Sequence, residues 1–174
     1  MRIIAGSARG RPLRAKLPEG VRPTTDYARE AIFSMLESRG GLRDLVVADL
    51  FSGSGAMGLE ALSRGAAEVY FVDADAACLE AARANYEALG FSARAHFVRA
   101  TLPNWRIPEA VDLVLMDPPY GALDVDSVLG EARVGRVMVE NDRFVEATGY
   151  EVVKQKRYGT TLVTMLEPTA QDVS

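Results

Sequence analysis

Apolar and polar positions follow two different rhythms along the middle of the chain. Short, nearly continuous apolar runs recur between residues 45 and 139, and stretches with helical spacing separate them. Runs of this length that are rich in β-branched residues predict buried strands. They cover residues 45–50, 69–72, 95–98, 111–116 and 137–139. Strands that alternate with helices predict an α/β fold with a mostly parallel sheet and helices on both faces.

Three helical stretches have recognisable ends. The first follows Thr24-Thr25-Asp26, where Thr25 or Asp26 supplies an N-cap, and it ends at Gly40-Gly41. The second covers residues 56–63. The third has a cap at Asp75 and ends at Gly90. Apolar residues at helical spacing fill one side of the first and third stretches, so we expect both helices to pack on the sheet.

The two ends of the chain depart from this pattern. Residues 150–157 and 161–166 are strand-like and are separated by Tyr158-Gly159-Thr160, so they predict an antiparallel hairpin that closes one sheet edge. Residues 1–24 are short apolar pieces broken by glycine and proline. We expect them to form a basic arm or hairpin that packs on a single domain made by residues 25–174. The whole then predicts a Rossmann-like sheet of seven strands.

Composition limits the classes of function. The chain has 174 residues, of which 48% are apolar and 25% charged, a balance typical of globular proteins. No window approaches the roughly 18 apolar residues of a membrane span. The first residues lack a signal peptide's apolar region, and the only cysteine, Cys78, has no disulfide partner. We expect a cytoplasmic protein without a membrane segment or a metal site.

Charge is distributed unevenly. The net charge is −4, yet residues 1–30 contain seven basic and three acidic residues. A basic arm on an acidic body is expected where one segment meets phosphates. Alternatively the cluster is chance, because arginine is common throughout the chain. The candidate residues for contact with nucleic-acid phosphates are Arg9, Arg11, Arg14, Arg22 and Arg29.

A glycine-rich turn follows the first strand. Residues 53–58 match the G-x-G-x-x-G pattern, and Asp73 lies 20 residues after Gly53. This spacing is the fingerprint of a dinucleotide site with the acid on a ribose. Asp49 argues against that cofactor, since two unit charges about 4 Å apart interact by roughly 4 kcal/mol at an effective dielectric of 20, and a carboxylate would repel a pyrophosphate. S-adenosylmethionine, which has a sulfonium, an ammonium and no phosphate, fits better.

A second candidate site follows the strand at residues 111–116. Asp117-Pro118-Pro119-Tyr120 places a carboxylate and an aromatic ring on a loop that two prolines stiffen. Such a loop is suited to a site that binds a flat polar group. The alternative is that Asp-Pro-Pro is turn chemistry alone.

These motifs together resemble a known family. Residues 49–55, 59–66 and 117–120 resemble S-adenosylmethionine-dependent methyltransferases of exocyclic amines. Residues 2–6, 9–11 and 22–26, together with Arg29-Glu30 and Phe33, look like the RsmD family, which methylates guanine N2 in 16S ribosomal RNA. The glycine loop and the Asp-Pro-Pro-Tyr loop assign the broad class, and the N-terminal set assigns the family.

The resemblance implies a class I methyltransferase fold, S-adenosylmethionine as cofactor, and 16S ribosomal RNA or the small-subunit particle as partner of a monomer. One departure concerns the adenine pocket, where Arg99 stands in place of an Asp or Asn and cannot accept a hydrogen bond. Backbone groups near Arg99 and Ala100, together with apolar packing, must then hold the adenine. The implied cofactor-binding residues are Asp49, Phe51, Gly53, Gly55, Asp73, Ala100 and Thr25.

The resemblance also assigns roles in the second loop. Asp117 and the Pro118 carbonyl accept hydrogen bonds from the target amine, Pro119 stiffens the loop, and Tyr120 stacks on the base. Three alternatives stay open. The same type of loop serves methyltransferases of DNA adenine N6 or a protein glutamine amide, usually with Asn in place of Asp117. The second alternative is an RNA-binding module that binds a nucleotide cofactor without catalysis, and the third is an NAD-dependent oxidoreductase.

Overall fold

Seven strands form one mixed sheet in the computed structural model, which describes residues 1–21, 24–119, 121 and 124–170. The strands are β1 Val46–Leu50, β2 Glu68–Asp73, β3 Arg94–Arg99, β4 Leu113–Met116, β5 Arg136–Asn141, β6 Tyr150–Tyr158 and β7 Thr161–Pro168. Their order is β3-β2-β1-β4-β5-β7-β6, in which β1 to β5 are parallel and β7 runs antiparallel to β5 and β6. The predicted fold class is confirmed, with its antiparallel C-terminal pair.

The helices divide unequally between the two faces of the sheet. The elements α1 Asp26–Glu37, α2 Ala56–Ser63 and α3 Ala76–Leu89 pack on one face, in a core that includes Phe33, Leu59 and Phe71. On the other face the described residues contain one helix, α4 Val125–Leu129. The connection between β3 and β4 covers the rest of that face as a loop, in which Pro103 and Pro108 interrupt helical hydrogen bonding.

The predicted N-caps of α1 and α3 and the predicted end of α3 are confirmed, whereas α1 ends at Glu37 with Ser38 as its C-cap, before the predicted Gly40-Gly41. The Thr25 hydroxyl oxygen accepts a hydrogen bond from the Ala28 N–H at 3.2 Å and caps α1. The Asp75 carboxylate accepts one from the Ala77 N–H at 2.8 Å and caps α3. Gly90 ends α3 with a positive φ of 69°, a conformation that glycine adopts without a steric penalty.

The N-terminal segment lies against α2 and α3. Its first part is a short antiparallel pair, in which the Ile3 N–H donates to the Arg11 carbonyl at 3.0 Å. Ile3 is buried in the core on the α1 side. Further along, the Ala15 N–H donates to Asn85 of α3 at 3.0 Å, and Leu17 reaches the glycine loop. The segment therefore runs from the end of the sheet at which the parallel strands begin to the end at which they finish. We call these two ends the amino edge and the carboxyl edge of the sheet.

Candidate active site

Three acids meet at the carboxyl edge of the sheet. Asp49 lies in β1, Asp73 ends β2, and Asp117 directly follows β4. The central strand β1 pairs with both β2 and β4, and Leu50 lies opposite Val72 and Met116. The three acids thus lie at the ends of neighbouring strands, which is where an open parallel sheet binds ligands.

Asp49 is a buried acid beneath the glycine loop. Asp49 is 3% exposed, and its carboxylate accepts a hydrogen bond from the Gly58 N–H at 2.9 Å. The N-cap of α2 is Gly55, which has no side chain, so Asp49 caps this helix from the neighbouring strand. Burial raises the pKa of Asp49 well above its ordinary value, and the negative charges of Asp117 and Asp73 raise it further.

The glycine loop turns tightly with three residues in the left-handed region. The φ angles are 60° at Phe51, 53° at Gly53 and 80° at Gly55. A Cβ at Gly55 would lie 3.0 Å from the Ala82 Cβ and 3.1 Å from the Phe71 ring. Gly55 therefore lets the loop pack closely against α3 and β2.

Asp73 joins the ends of three strands. Its carboxylate accepts hydrogen bonds from the N–H groups of Gly53 and Asp75, both at 2.9 Å. Its backbone carbonyl accepts another from the Ala100 N–H at 3.0 Å, which fixes the chain just after β3. Each carboxylate oxygen has two lone pairs, so Asp73 can still accept a hydrogen bond from a ligand hydroxyl. The predicted cofactor residues Gly53, Asp73 and Ala100 are brought together.

Asp117 is held by a threonine of the segment before α1. The Thr24 hydroxyl donates a hydrogen bond to the Asp117 carboxylate at 2.8 Å. Thr25, which the sequence assigned to the cofactor, uses its hydroxyl to cap α1, so Thr24 is the threonine that reaches the site. Pro118 is buried and Pro119 exposed, while Tyr120 and Arg22 lie outside the described residues.

The prediction that Arg29 contacts RNA is wrong. Its side chain has no exposed surface. It donates hydrogen bonds to the Arg2 carbonyl at 2.5 Å and to Asp26 at 2.9 Å, and it lies 3.6 Å from Glu60, which is also fully buried. Arg29 is thus an internal cation, because the buried carboxylate of Glu60 requires a neutralising partner.

Glu60 connects this ion pair to the N-terminal segment. Its two oxygens accept hydrogen bonds from the backbone N–H groups of Ile4 at 2.9 Å and Ala5 at 3.0 Å. It also accepts one from Arg64 at 2.9 Å. The signal for a buried Arg29 was present in the sequence, since Arg29 lies three and four residues before Ile32 and Phe33, on the apolar side of the helix.

The other described arginines of the arm are exposed, and Arg9 and Arg11 lie at the opposite end of the sheet from Asp117. Arg11 donates to the carbonyls of Ala88 at 2.7 Å and Leu89 at 2.9 Å, at the C-terminus of α3. That helix has 14 residues, about 21 Å, and its C-terminus lies at the amino edge of the sheet. Arg9 is near the same edge, and Arg14 precedes the stretch that crosses to the other edge. Their contact with phosphates stays a prediction.

Two residues that the sequence did not single out connect the arm to the glycine loop. The Asn85 amide donates to the Ser54 carbonyl at 3.1 Å while its oxygen accepts the Ala15 N–H. Leu17 lies 3.8 Å from where a Cβ of Gly53 would be. The signal for Asn85 was its position, since a polar residue between Ala82 and Leu89 interrupts the apolar side of α3.

Other chemistries have little support in the described part of the chain. There, no group of three or more His, Cys, Asp or Glu side chains is arranged to hold a metal ion. Burial and the charges of Asp73 and Asp75 raise the pKa of the Cys78 thiol to about 11, so it is not a thiolate nucleophile at neutral pH. Across the described ranges no helix has the length and apolar character to cross a membrane.

Comparisons with known proteins give a consistent result. The family described as "Conserved hypothetical protein 95" matches residues 1–167. The chain is 34% identical to YlbH of Bacillus subtilis over 163 residues, which is 90% of this chain and 83% of that protein. It is 36% identical to ribosomal RNA small subunit methyltransferase D of Escherichia coli K12 over 122 residues, 69% of this chain but 60% of that protein.

A solved structure extends the likeness to the whole fold. The yhhF protein of Escherichia coli superposes with a TM-score of 0.80 at 29% sequence identity. The match covers 98% of this chain and 99% of that one. The likeness therefore includes the sheet and the N-terminal segment and extends along nearly the entire chain.

Proposed function

Because the chain belongs to the RsmD family, whose description is "Conserved hypothetical protein 95", we propose that it transfers a methyl group from S-adenosylmethionine to the N2 amine of a guanine in 16S ribosomal RNA. The observation that carries the proposal is the cluster of Asp49, Asp73 and Asp117 at the carboxyl edge of the sheet. The family supplies the class of acceptor, and this cluster supplies the reason for the cofactor.

The three acids fit the charge of S-adenosylmethionine. Burial is the main cause of the raised pKa of Asp49, and repulsion by the charges of Asp117 and Asp73 raises it further. A cation placed among them relieves that repulsion, whereas the pyrophosphate of NAD would add to it. The Asp73 carboxylate, fixed by two backbone N–H groups, is suited to accept the ribose hydroxyls. When bound, the cofactor supplies a methyl group on a positively charged sulfur.

The Asp117 loop is suited to orient an amine. The exocyclic nitrogen of guanine is a poor nucleophile because its lone pair is delocalised into the ring. Two acceptors, the Asp117 carboxylate and the Pro118 carbonyl, would hold its two N–H groups and favour a more tetrahedral nitrogen. The Thr24 hydroxyl fixes one carboxylate oxygen and so the orientation of the other. Positioning and charge stabilisation then account for most of the acceleration.

The acceptor must be an unpaired or flipped-out nucleotide. A base inside a helix is not able to reach a loop at the edge of a sheet. Small-subunit RNA is the acceptor that the name of the Escherichia coli relative gives for that protein. An aspartate at position 117 supports guanine N2 over adenine N6 or a glutamine amide, because enzymes with those acceptors usually have Asn there.

A methyl-transfer assay with several acceptors tests the proposal. Labelled S-adenosylmethionine is incubated with small-subunit particles, naked 16S ribosomal RNA, duplex DNA and total protein. We expect label in the ribosomal RNA, and a loss of at least about 100-fold in Asp117→Ala, as for removal of one positioned hydrogen-bonding group at a reacting centre. Glu109→Ala, which removes an exposed carboxylate from the loop between β3 and β4, is the control.

The assay, together with titrations of S-adenosylhomocysteine, NAD and RNA, distinguishes the alternatives. Label in DNA or protein, with none in RNA, would exclude the proposed acceptor. Tight binding of NAD without binding of S-adenosylhomocysteine would exclude the methyl donor. RNA binding without turnover would leave a binding module in place of an enzyme.

A further inference from the structure

An exposed tyrosine stands beside the candidate active site. Tyr27, in the first turn of α1, is 68% exposed, more than any other aromatic side chain of the described residues except Phe144. It lies three residues after Thr24, whose hydroxyl contacts Asp117. Three residues of chain span at most about 11 Å, so the Tyr27 backbone lies within about 11 Å of Thr24.

The Tyr27 ring is held in place from one side. It meets the ring of Tyr158 edge to face, with the ring centres 5.3 Å apart and the planes at 80°. Tyr158 ends β6, and its ring in turn lies 5.2 Å from the Lys156 ammonium. An edge-to-face contact fixes an aromatic ring while leaving a flat face open to a further partner.

Two lysines extend this surface along β6. Lys154 and Lys156 pair across the strands with Met165 and Val163, which belong to the core on the α1 side. Cross-strand partners lie on the same face of a sheet, so both lysines are on the α1 side with Tyr158. Both are exposed, and within the described residues neither forms an ion pair. We call Tyr27, Tyr158, Lys154 and Lys156 the tyrosine–lysine face.

This face lies at the same edge of the sheet as Asp117. Asn141 at the end of β5 pairs with Leu162, so the turn between β6 and β7 is at the carboxyl edge. From β4 to β6 there are three strand spacings, about 14 Å. By contrast, Arg9 and Arg11 are at the opposite edge. The tyrosine–lysine face is therefore a cationic and aromatic surface next to the site.

We propose that a single-stranded segment of the RNA, adjacent to the target nucleotide, binds the tyrosine–lysine face. A base stacks on Tyr27, and phosphates lie on Lys154 and Lys156. This inference rests on the proposed function, which identifies RNA as the substrate. Open aromatic faces beside cations are how proteins hold unpaired strands without reading their sequence. Lysines on an edge strand also prevent sheet pairing, but that role does not require an exposed tyrosine on a neighbouring helix.

Variants of Tyr27 test the stacking contact. The dissociation constant for small-subunit particles is measured with S-adenosylhomocysteine present, together with the unfolding midpoint of each variant. We expect Tyr27→Ala to weaken binding by roughly 5- to 100-fold, the range for loss of one base–aromatic stack, and Tyr27→Phe to bind within about twofold of the unmodified chain. Tyr27→Phe should leave the unfolding midpoint unchanged, and Tyr27→Ala, which also loses the ring contact with Tyr158, should lower it by at most about 6 °C.

A double lysine variant tests the phosphate contacts. Each phosphate contact on a single strand contributes about 0.7 to the slope of log affinity against log salt. We expect Lys154→Ala with Lys156→Ala to lower the slope by about 1.4. The matched control, Arg106→Ala with Arg133→Ala, removes two exposed cations on the α4 side of the sheet and should leave the slope unchanged.

Photocrosslinking identifies what touches position 27. A benzoylphenylalanine at this position should crosslink to ribosomal RNA in the particles. A crosslink to a ribosomal protein, unchanged affinity in Tyr27→Ala, an unchanged salt slope in the double variant, or no measurable binding of particles would each overturn the inference. Methyl transfer by the unmodified chain is scored separately. Transfer with unchanged Tyr27→Ala affinity removes only this inference, whereas binding without transfer removes only the proposed function.

Discussion

The buried ion pair of Arg29 gives a sharp test of the structure. Arg29→Met keeps a similar side-chain volume but leaves Glu60, which has no exposed surface, without this cation. Breaking a buried pair from one side typically costs 3–5 kcal/mol. Glu60 keeps Arg64 and two backbone N–H donors, so we expect the lower end, about 3 kcal/mol. For a chain of this size that loss corresponds to about 6–12 °C in the unfolding midpoint.

The assay is thermal unfolding followed by circular dichroism, with Arg9→Met as the control. Arg9 is exposed, so the same chemical change there should shift the midpoint by less than about 2 °C, as a surface substitution within roughly 0.5 kcal/mol does. Below its midpoint, Arg29→Met should bind small-subunit particles as tightly as the unmodified chain. An unchanged midpoint together with weakened particle binding would refute the structural role of Arg29 and restore its assignment to RNA.

Three further substitutions probe the candidate site. Asp49→Asn should stabilise the fold at neutral pH and weaken the binding of S-adenosylhomocysteine. Because burial raises the pKa of Asp49, the unmodified protein loses stability as the pH rises from the ordinary pKa of an aspartate through the raised one. The difference in unfolding midpoint between the variant and the unmodified chain should therefore grow with pH and then level off. A constant difference from pH 4 to 8 would contradict this. Gly58→Ala places a Cβ 2.4 Å from the buried Phe71 ring and should cost about 1–3 kcal/mol in unfolding free energy, whereas Gly135→Ala should be tolerated. Thr24→Val removes the hydroxyl that donates to Asp117 at 2.8 Å. It should lower kcat by about tenfold, which is roughly 1.4 kcal/mol in activation free energy, with little change in cofactor affinity. Failure of Thr24→Ser to restore kcat would refute a positioning role.

The sheet was the part of the fold that the sequence predicted best. Each buried strand is a short apolar run between turn residues, and these local signals set the strands within about two residues of their observed ends. The caps at Thr25 and Asp75 and the stop at Gly90 were equally local, and they are confirmed. The short helix α4 was not predicted, because its five residues are too few to show a helical period.

The side chains at the site were harder to predict because their partners are distant in the sequence. The sequence placed Asp49, Gly53, Asp73 and Asp117 at one crevice, since all four follow or end parallel strands. It did not predict that Thr24 contacts Asp117, since 93 positions separate them. Arg29 was misassigned for a related reason, because its residue type suggested a surface cation while its buried partner, Glu60, belongs to another helix.

The identity of the methylated nucleoside tests the central claim most directly. Small-subunit particles that carry no methyl group at the target are incubated with the protein and labelled S-adenosylmethionine. The RNA is digested to nucleosides, and the labelled product is analysed by mass spectrometry. We predict N2-methylguanosine, absent in Asp117→Ala. Label in N6-methyladenosine, or in ribosomal protein with none in the RNA, would contradict the assignment of the Asp117 loop to a guanine amine.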